Sequence, residues 1–223
     1  MRIFGLDMST DARAIKDRIG VVLDDGGFYD ELSLGEMKRI IAPAYSRWSD
    51  EDFQRWLDHF RLDPHQKIAT LSRGMRMKFA LALAMSHGAE LLIMDEPTNG
   101  LDIPGKSQFR KLLIREMNES RGIVISTHQV QDVEQLLDHV VILDNARVLL
   151  DASVTEICHK LYFTQTDNES ETSEAYYALP SYNGHSVMLP NPEDKDSEIN
   201  LELLFNGTLA HPETICPLFN AEK

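Results

Sequence analysis

The sequence is poor in the features that mark secreted and membrane-embedded proteins. Cysteine occurs only twice in 223 residues, and Cys158 and Cys216 have no CxxC spacing, which predicts reduced, unpaired thiols. The first residues do not follow the pattern of a secretory signal peptide. The longest apolar stretch, Phe79 to Met94, is interrupted by polar residues and falls short of the roughly 20 residues that span a bilayer. We therefore expect a cytoplasmic protein.

Basic residues are also scarce. Lysine and arginine number 22 against 36 aspartate and glutamate residues, which gives a formal net charge of −14 at pH 7. Binding to a nucleic-acid backbone or to anionic lipid needs clustered positive charge, so neither is expected as a direct partner. Any membrane contact is then expected to pass through another protein. With 43% hydrophobic residues, the chain can bury the core of one domain, or of one domain with an appendage.

Short apolar stretches alternate with segments of helical periodicity along the first 160 residues. The expected strands are 18–23, 91–94 and 122–126, followed by a hairpin over 140–150. The expected helices lie within 30–70 and over 72–86, 106–117 and 130–137. This alternation favours an α/β fold with a buried, largely parallel sheet.

The composition changes near residue 160. Residues 164–223 hold 11 acidic side chains against two basic ones. A weakly alternating stretch at 182–189 and a helical pattern at 200–209 nevertheless predict a small folded α+β appendage over 161–223, rather than a disordered tail. Its expected roles are an interaction surface, a dimer contact or a cap on the sheet.

Residues 71–102 hold most of the polar motifs. Leu71–Met75 is a polar turn that opens a helix, where Ser72 is suited to cap the first turn and small residues leave the helix start open to an anion. Asp95 and Glu96 end an apolar strand, and parallel sheets bind ligands at such strand ends. A tight loop then leads to a third acid, Asp102. On its own, the Asp-Glu pair would indicate only surface acids beside a loop.

The order and spacing of this block resemble the signature motif, the Walker B strand and the D-loop of ATP-binding-cassette (ABC) ATPases. The first motif is similar to the LSRGM-like form of bacterial ABC export ATPases, and it departs from the usual LSGGQ at Arg73 and Met75. His128 follows the strand 122–126 at the place of the family's switch histidine. The resemblance covers about residues 1–160, with 30–88 as the helical and signature subdomain, and it implies a P-loop NTPase-like fold.

The resemblance implies ATP and Mg²⁺ as ligands. Asp95 would hold Mg²⁺ through a water molecule, because this ion keeps much of its hydration. Glu96 would orient or deprotonate the water that attacks the γ-phosphate, and His128 would contact the same phosphate. Ser72, and Gly74 through its backbone, would contact ATP bound on a second subunit.

Asp102 and Asp24 complete the implied site residues. Asp102 ends the D-loop, which in the family communicates between two nucleotide sites. Asp24 stands where the family has its Q-loop glutamine and could coordinate Mg²⁺ or water. A further carboxylate beside phosphates is repulsive unless a metal ion intervenes, so the role of Asp24 stays open.

The phosphate-loop pattern G-x-x-x-x-G-K-[ST] occurs at residues 100–107. Pro104 has no backbone N–H for a phosphate, and Asp102 would bring negative charge into the cradle, so we expect no phosphate loop here. In the family, a strand, a phosphate loop and a helix precede the segment that resembles residues 1–7. Amino-terminal truncation is the expected explanation for a chain without them, with a natural partial subunit as the alternative, and weak ATP binding by the chain alone is expected.

The implied function is that of an ATP-binding and ATP-hydrolysing subunit of an ABC transporter that drives export. The implied partners are a transmembrane permease subunit and a second ATP-binding subunit, in a homo- or heterodimer. The chain would lie at the inner face of the cell membrane and contact the membrane only through the permease. The alternatives are a non-transport ABC ATPase, or a non-catalytic subunit that gives its signature motif to a complete partner.

Overall fold

The computed structural model describes residues 1–24, 26–116 and 121–219. The chain forms two compact units, unit 1 (residues 1–129) and unit 2 (residues 130–223). The boundary predicted near residue 160 marks the end of the resemblance to ABC ATPases. It is a different quantity from the division into compact units, and it stays a prediction. Within the described ranges, no helix has the length and apolar character needed to cross a membrane.

Unit 1 is built on a three-stranded parallel sheet. A small antiparallel ribbon, β1 (Arg2–Ile3) and β2 (Leu6–Asp7), and a short helix, α1 (Ala12–Lys16), come first. The sheet consists of β3 (Ile19–Val22), β4 (Leu91–Asp95) and β5 (Gly122–Ser126). β4 lies in the middle, with Met94 in register with Val22 on one side and Ile125 on the other. The predicted parallel sheet is therefore confirmed.

Three helices lie between β3 and β4, as predicted for residues 30–70 and 72–86. They are α2 (Leu34–Ile41), α3 (Asp50–Phe60) and α4 (Arg73–Met85). Each is preceded by a serine whose hydroxyl accepts a backbone N–H bond from the first turn, which satisfies one of the otherwise unpaired donors there. α3 buries Phe53, Trp56 and Leu57, so these side chains belong to the core of this helical region.

A buried histidine follows α4. His87 is inaccessible to solvent, and its ring stacks on Tyr45 with the ring centroids 3.8 Å apart. Burial lowers the pKa of His87, and the nearby carbonyl and carboxylate of Asp17 oppose that effect less strongly. The neutral imidazole is therefore the form that the folded protein favours.

We predict that unit 1 loses stability as the pH falls below about 6.5, the usual pKa of an unfolded histidine. Below that value the unfolded chain binds a proton at His87 that the folded chain resists, so this loss continues until the pH reaches the lowered pKa of the folded state. Thermal unfolding at pH 7.5 and pH 5.5 tests this, with His87→Phe as the non-titrating control. An equally steep decline in the variant would contradict the prediction.

The helix predicted at 106–117 is confirmed as α5 (Ile103–Glu116), which connects β4 with β5. Met117, the last residue of the predicted helix, lies outside the described residues. Phe109 and Leu113 of α5 are buried, in agreement with the predicted apolar face.

Unit 2 begins with a departure from the sequence prediction. The helix predicted over 130–137 is wrong: two 3₁₀ turns, Val130–Asp132 and Glu134–Leu136, take its place. Val133 interrupts the helix because its backbone adopts φ −122° and ψ −9° while its side chain is buried. The predicted hairpin is confirmed as β6 (His139–Asp144) and β7 (Arg147–Ser153).

The remainder of unit 2 is a small α+β assembly. Its elements are α6 (Val154–Lys160), β8 (Leu161–Thr166), α7 (Glu169–Glu174), β9 (Tyr177–Ser181), β10 (Gly184–Pro190), α8 (Leu201–Ala210) and α9 (Pro212–Phe219). The three strands form an antiparallel sheet in the order β8-β10-β9. Ile157, Leu161, Met188 and Leu204 are fully buried at its core. The strand and helix predicted near 182–189 and 200–209 are confirmed by β10 and α8.

Candidate active site

The carboxyl end of the central strand of unit 1 carries two acids. Asp95 is the last residue of β4, and its Oδ1 accepts a hydrogen bond from the hydroxyl of Ser126, 2.7 Å away on β5. Glu96 follows with a positive φ of 45°, and its backbone N–H donates to the Ser126 carbonyl at 2.8 Å. A non-glycine residue in this conformation is held there by its surroundings, so the turn of the chain fixes the direction of the Glu96 side chain.

The carboxylate of Glu96 is held by the loop after β5. Its Oε2 accepts from the Thr127 hydroxyl at 2.9 Å, and its Oε1 accepts from the backbone N–H of His128 at 2.9 Å. The Nδ1 of His128 lies 2.6 Å from the same Oε1. The Glu96 side chain is 21% exposed and the His128 side chain 71% exposed. The carboxylate is thus fixed while the imidazole stays accessible.

The loop after β5 is supported by residues that were not expected from the sequence. Thr127 also accepts a hydrogen bond from the backbone N–H of Gln129 at 2.9 Å, and the Gln129 side-chain carbonyl accepts from Lys106 Nζ at 2.9 Å. The chain of contacts therefore runs from α5 through Gln129 and Thr127 to Glu96. The only signal in the sequence was the polar run Ser126–Gln129 after an apolar strand.

The predicted signature residues lie at the start of α4. Ser72 precedes the helix, is exposed, and accepts a hydrogen bond from the Met75 N–H at 3.3 Å. Gly74 lies so close to Leu101 that a Cβ atom would come within 3.1 Å of its side chain. A glycine at this position therefore lets the helix start approach the loop that follows Glu96.

Asp102 ends that loop and caps α5. Its Oδ1 accepts from the backbone N–H of Gly105 at 2.8 Å, and its carbonyl accepts from the N–H of Lys106 at 2.9 Å. Residues 100–107 consequently form a turn and the capped first turn of a helix. The N–H of Gly105 already donates to the Asp102 carboxylate. In a phosphate cradle such N–H groups face the phosphate, so this geometry is different, in line with the expectation from the sequence.

Asp24 lies beside the signature segment. Its carboxylate forms an ion pair with Arg73, and Asn99 Nδ2 is 3.4 Å from both carboxylate oxygens. Asp24 therefore contacts two of the predicted motifs, whereas Asp95 and Glu96 contact the loop after β5.

The donor atoms at the strand end fit Mg²⁺ better than a metal that needs a full set of protein ligands. Within residues 1–24, 26–116 and 121–219, no group of three or more His, Cys, Asp or Glu side chains is arranged to hold a metal ion. Asp95 offers one carboxylate beside the hydroxyl of Ser126. Mg²⁺ is commonly held by one or two carboxylates, with water and substrate phosphates as the other ligands.

Comparisons with known proteins show which group of proteins this chain resembles. Residues 1–99 match the family model described as ABC transporter. A solved structure of an ATP-binding subunit of an ABC transporter superposes with a TM-score of 0.58 at 27% identity, over 70% of this chain and 67% of that chain. The chain is therefore similar to ATP-binding subunits of ABC transporters. Its unit 1 accordingly has the α/β fold of a P-loop NTPase-like ABC domain.

Two curated relatives of this chain are bacitracin transport ATP-binding proteins. BcrA of Enterococcus faecalis is 28% identical over 94% of this chain and 71% of its own length. BcrA of Bacillus licheniformis is 34% identical over 67% of this chain and 50% of its own length. The chain thus spans from half to about seven tenths of the length of these relatives.

The position of Lys106 leads to a prediction about nucleotide binding. Because Lys106 lies in a capped helix and contacts Gln129, Lys106→Ala is expected to leave the affinity for MgATP within about twofold of the parent. Loss of a phosphate-loop contact to charged groups would cost about tenfold or more. Isothermal titration should compare it with Lys111→Ala, an exposed lysine of the same helix. A tenfold loss confined to Lys106→Ala would contradict the prediction.

Proposed function

We propose that this chain is the ATP-binding and ATP-hydrolysing subunit of an ABC transporter that drives export through a separate transmembrane permease. The observation that carries this proposal is the Glu96 carboxylate, held between Thr127 and His128 at the carboxyl end of β4. A fixed carboxylate beside an accessible imidazole suits the activation of a water molecule for attack on a phosphate.

Asp95, Glu96 and His128 would act on nucleotide bound by the same subunit. Mg²⁺, when bound, neutralises charge on the phosphate oxygens. Asp95 would hold this ion through water, with Ser126 fixing the direction of its carboxylate. Glu96 would orient the attacking water or take its proton, and the exposed ring of His128 would contact the γ-phosphate.

Ser72, Gly74 and Asp102 would act on nucleotide bound by a second ATP-binding subunit. Ser72 and the Gly74 backbone lie at the amino-terminal end of α4, where N–H groups and the helix dipole favour an anion. Asp102 would hold the end of the D-loop through its cap on α5, so that the two nucleotide sites are coupled.

The proposals for the permease partner and for the direction of transport do not rest on the site geometry. The direction of transport is proposed from the two relatives described above, which are bacitracin transport ATP-binding proteins. The described part of this chain has no membrane-spanning helix, so the substrate path is assigned to the partner. We place the chain at the cytoplasmic face of the membrane, with the α2–α4 region contacting the permease and no nucleic acid as partner.

The decisive experiment is reconstitution. The chain should be co-expressed with a candidate permease, and ATP hydrolysis should be measured in proteoliposomes with and without that membrane protein. Hydrolysis that needs both proteins and disappears in Glu96→Gln supports the proposal. Hydrolysis that instead responds to ribosomes or DNA would favour a non-transport ABC ATPase.

A second candidate function is that of a non-catalytic subunit. It is favoured by the capped-helix geometry of residues 100–107, because Ser72 and Gly74 would serve a partner's nucleotide even if this chain held none of its own. The two functions differ in one assay. If Glu96→Gln leaves hydrolysis by a mixed complex unchanged while Ser72→Ala abolishes it, the chain acts only in trans.

A further inference from the structure

Two positions at which this chain departs from the usual motifs of ABC ATPases contact each other. Asp24, in place of the Q-loop glutamine, forms an ion pair with Arg73 of the signature segment, 49 residues away. Asn99 of the D-loop lies against the same carboxylate, 75 residues from Asp24. One carboxylate therefore joins three motif segments of unit 1.

The side chain of Arg73 also packs directly on the D-loop. A Cβ atom at Gly100 would come within 2.6 Å of Arg73 Cδ, so the aliphatic stem of Arg73 crosses this glycine. Gly100 has φ +71°, a conformation that favours glycine. The neighbouring Gly74 packs against Leu101 in the same way. The start of α4 and the D-loop thus touch at two glycines, Gly74 of the helix and Gly100 of the loop.

The electrostatics explain why the pair occurs here. Arg73 is the first residue of α4, where the helix dipole makes a positive charge unfavourable. Asp24 supplies the opposing charge and fixes the direction of the guanidinium. The Arg73 side chain is 42% exposed and that of Asp24 35%, and such accessible pairs contribute little to global stability. The pair is therefore suited to hold an orientation rather than to stabilise the fold.

We propose that Asp24 is a positioning residue. Its ion pair holds the Arg73 side chain across Gly100, and this contact keeps the start of α4 packed against the D-loop. The two departures from the family pattern compensate each other. This role rests on the proposed function, in which both segments serve the nucleotide of a second subunit. Asp24 then acts through Arg73 and Asn99, without contacting nucleotide itself.

Amide hydrogen exchange, measured on the chain alone without nucleotide, tests whether Asp24 and Arg73 hold the D-loop in place. The reporters are the amides of Asn99 and Leu101, which donate to the carbonyls of Glu96 and Thr98 at 3.0 and 3.1 Å. Asp24→Asn and Arg73→Gln are each expected to raise the exchange rates of these amides about five- to tenfold, because local opening becomes easier. The double variant should equal either single variant, since both remove one interaction.

A matched control lies one turn along the same helix. Arg76 pairs with Asp30 at 2.7 Å, so Asp30→Asn removes a similar ion pair from α4, and we expect the D-loop amides to keep their rates within about twofold. Exchanging the charges, Asp24→Arg with Arg73→Asp, should restore protection. Additive effects of the two single variants, or equal effects of Asp30→Asn, would overturn the proposal.

The complex with the permease separates positioning from binding. Asp24→Asn is expected to lower kcat for ATP hydrolysis about tenfold while KM stays within about twofold, because a residue that only positions the signature segment leaves nucleotide affinity intact. Asp24→Glu should recover part of the loss. A rise in KM with unchanged kcat would overturn the positioning role. An inactive parent complex would instead refute the proposed function, and the exchange experiment would still decide the role of Asp24.

Discussion

Glu96→Gln is expected to lower kcat for ATP hydrolysis by the reconstituted transporter by at least about 100-fold, the usual contribution of a general base. Glutamine keeps the size of the side chain: its carbonyl oxygen can accept from the His128 N–H and its NH2 group can donate to the Thr127 hydroxyl, but it cannot take a proton from water. The loop should therefore keep its conformation while the chemical step fails. Phosphate release in proteoliposomes, compared with nucleotide affinity measured separately, checks both expectations.

The control for this experiment is another histidine–carboxylate pair. Asp151 lies 2.8 Å from His139 in unit 2, and Asp151→Asn removes an exposed carboxylate from a unit that contains none of the candidate site residues. Hydrolysis by this variant should match the parent within about twofold. A Glu96→Gln complex with parental kcat would show that another group activates the water.

His128 contributes to the same site in two separable ways. Its backbone N–H, which donates to Glu96, is kept in His128→Ala, whereas its ring is lost. The expected loss in kcat is accordingly smaller than for Glu96→Gln, about tenfold or more. Steady-state hydrolysis at saturating ATP measures the difference. A larger loss than in Glu96→Gln would assign the main catalytic role to the imidazole.

The sequence predicts the proximity of Glu96 and His128 well, for a physical reason. Both follow short apolar stretches that are typical of strands, and neighbouring parallel strands end at the same edge of a sheet. Once β4 and β5 are adjacent, the two side chains meet. The roles of Thr127 and Gln129 do not follow in the same way, because hydrogen bonds within a loop depend on backbone angles that no periodicity encodes.

The contact between Asp24 and Arg73 could not be predicted for a different reason. It depends on how closely α4 approaches β3, and that distance is set by packing rather than by any motif. The departure at 130–137 is similar: the residues have helical spacing, yet burial of Val133 favours an interrupted backbone. Local patterns therefore predicted which elements form, while tertiary packing determined the contacts between them.

The approach of α4 to β3 depends on one glycine, and its substitution has a large expected effect on stability. A Cβ atom at Gly20 would come within 2.7 Å of Ala84 Cβ and 2.8 Å of Leu92 Cδ2. Ala84 belongs to the helix and cannot turn away, so Gly20→Ala must push α4 from the sheet. We expect a loss of about 2 to 3 kcal/mol in the free energy of unfolding, in the range measured for overpacked cores.

Tryptophan fluorescence reports the unfolding of unit 1 specifically, because Trp48 and Trp56 are the only tryptophans in the sequence and both lie in that unit. The midpoint of thermal unfolding should fall by about 4 to 12 °C. Gly122→Ala is the matched control on β5, since its Cβ would meet only a terminal methyl of Leu91, at 3.2 Å, which can rotate. An equal loss in both variants would assign the effect to the strand backbone rather than to the helix contact.

Ala84→Gly should partly rescue Gly20→Ala, because it removes the atom that the new methyl group meets. Glycine within a helix costs about 1 kcal/mol, so the single Ala84→Gly variant is itself destabilised, and the evidence lies in the coupling between the two changes. A favourable coupling energy would show that α4, whose first turn carries the signature segment, is held against β3 at its carboxyl-terminal end. Independent effects would mean that the sheet, and not α4, adjusts to the added methyl group.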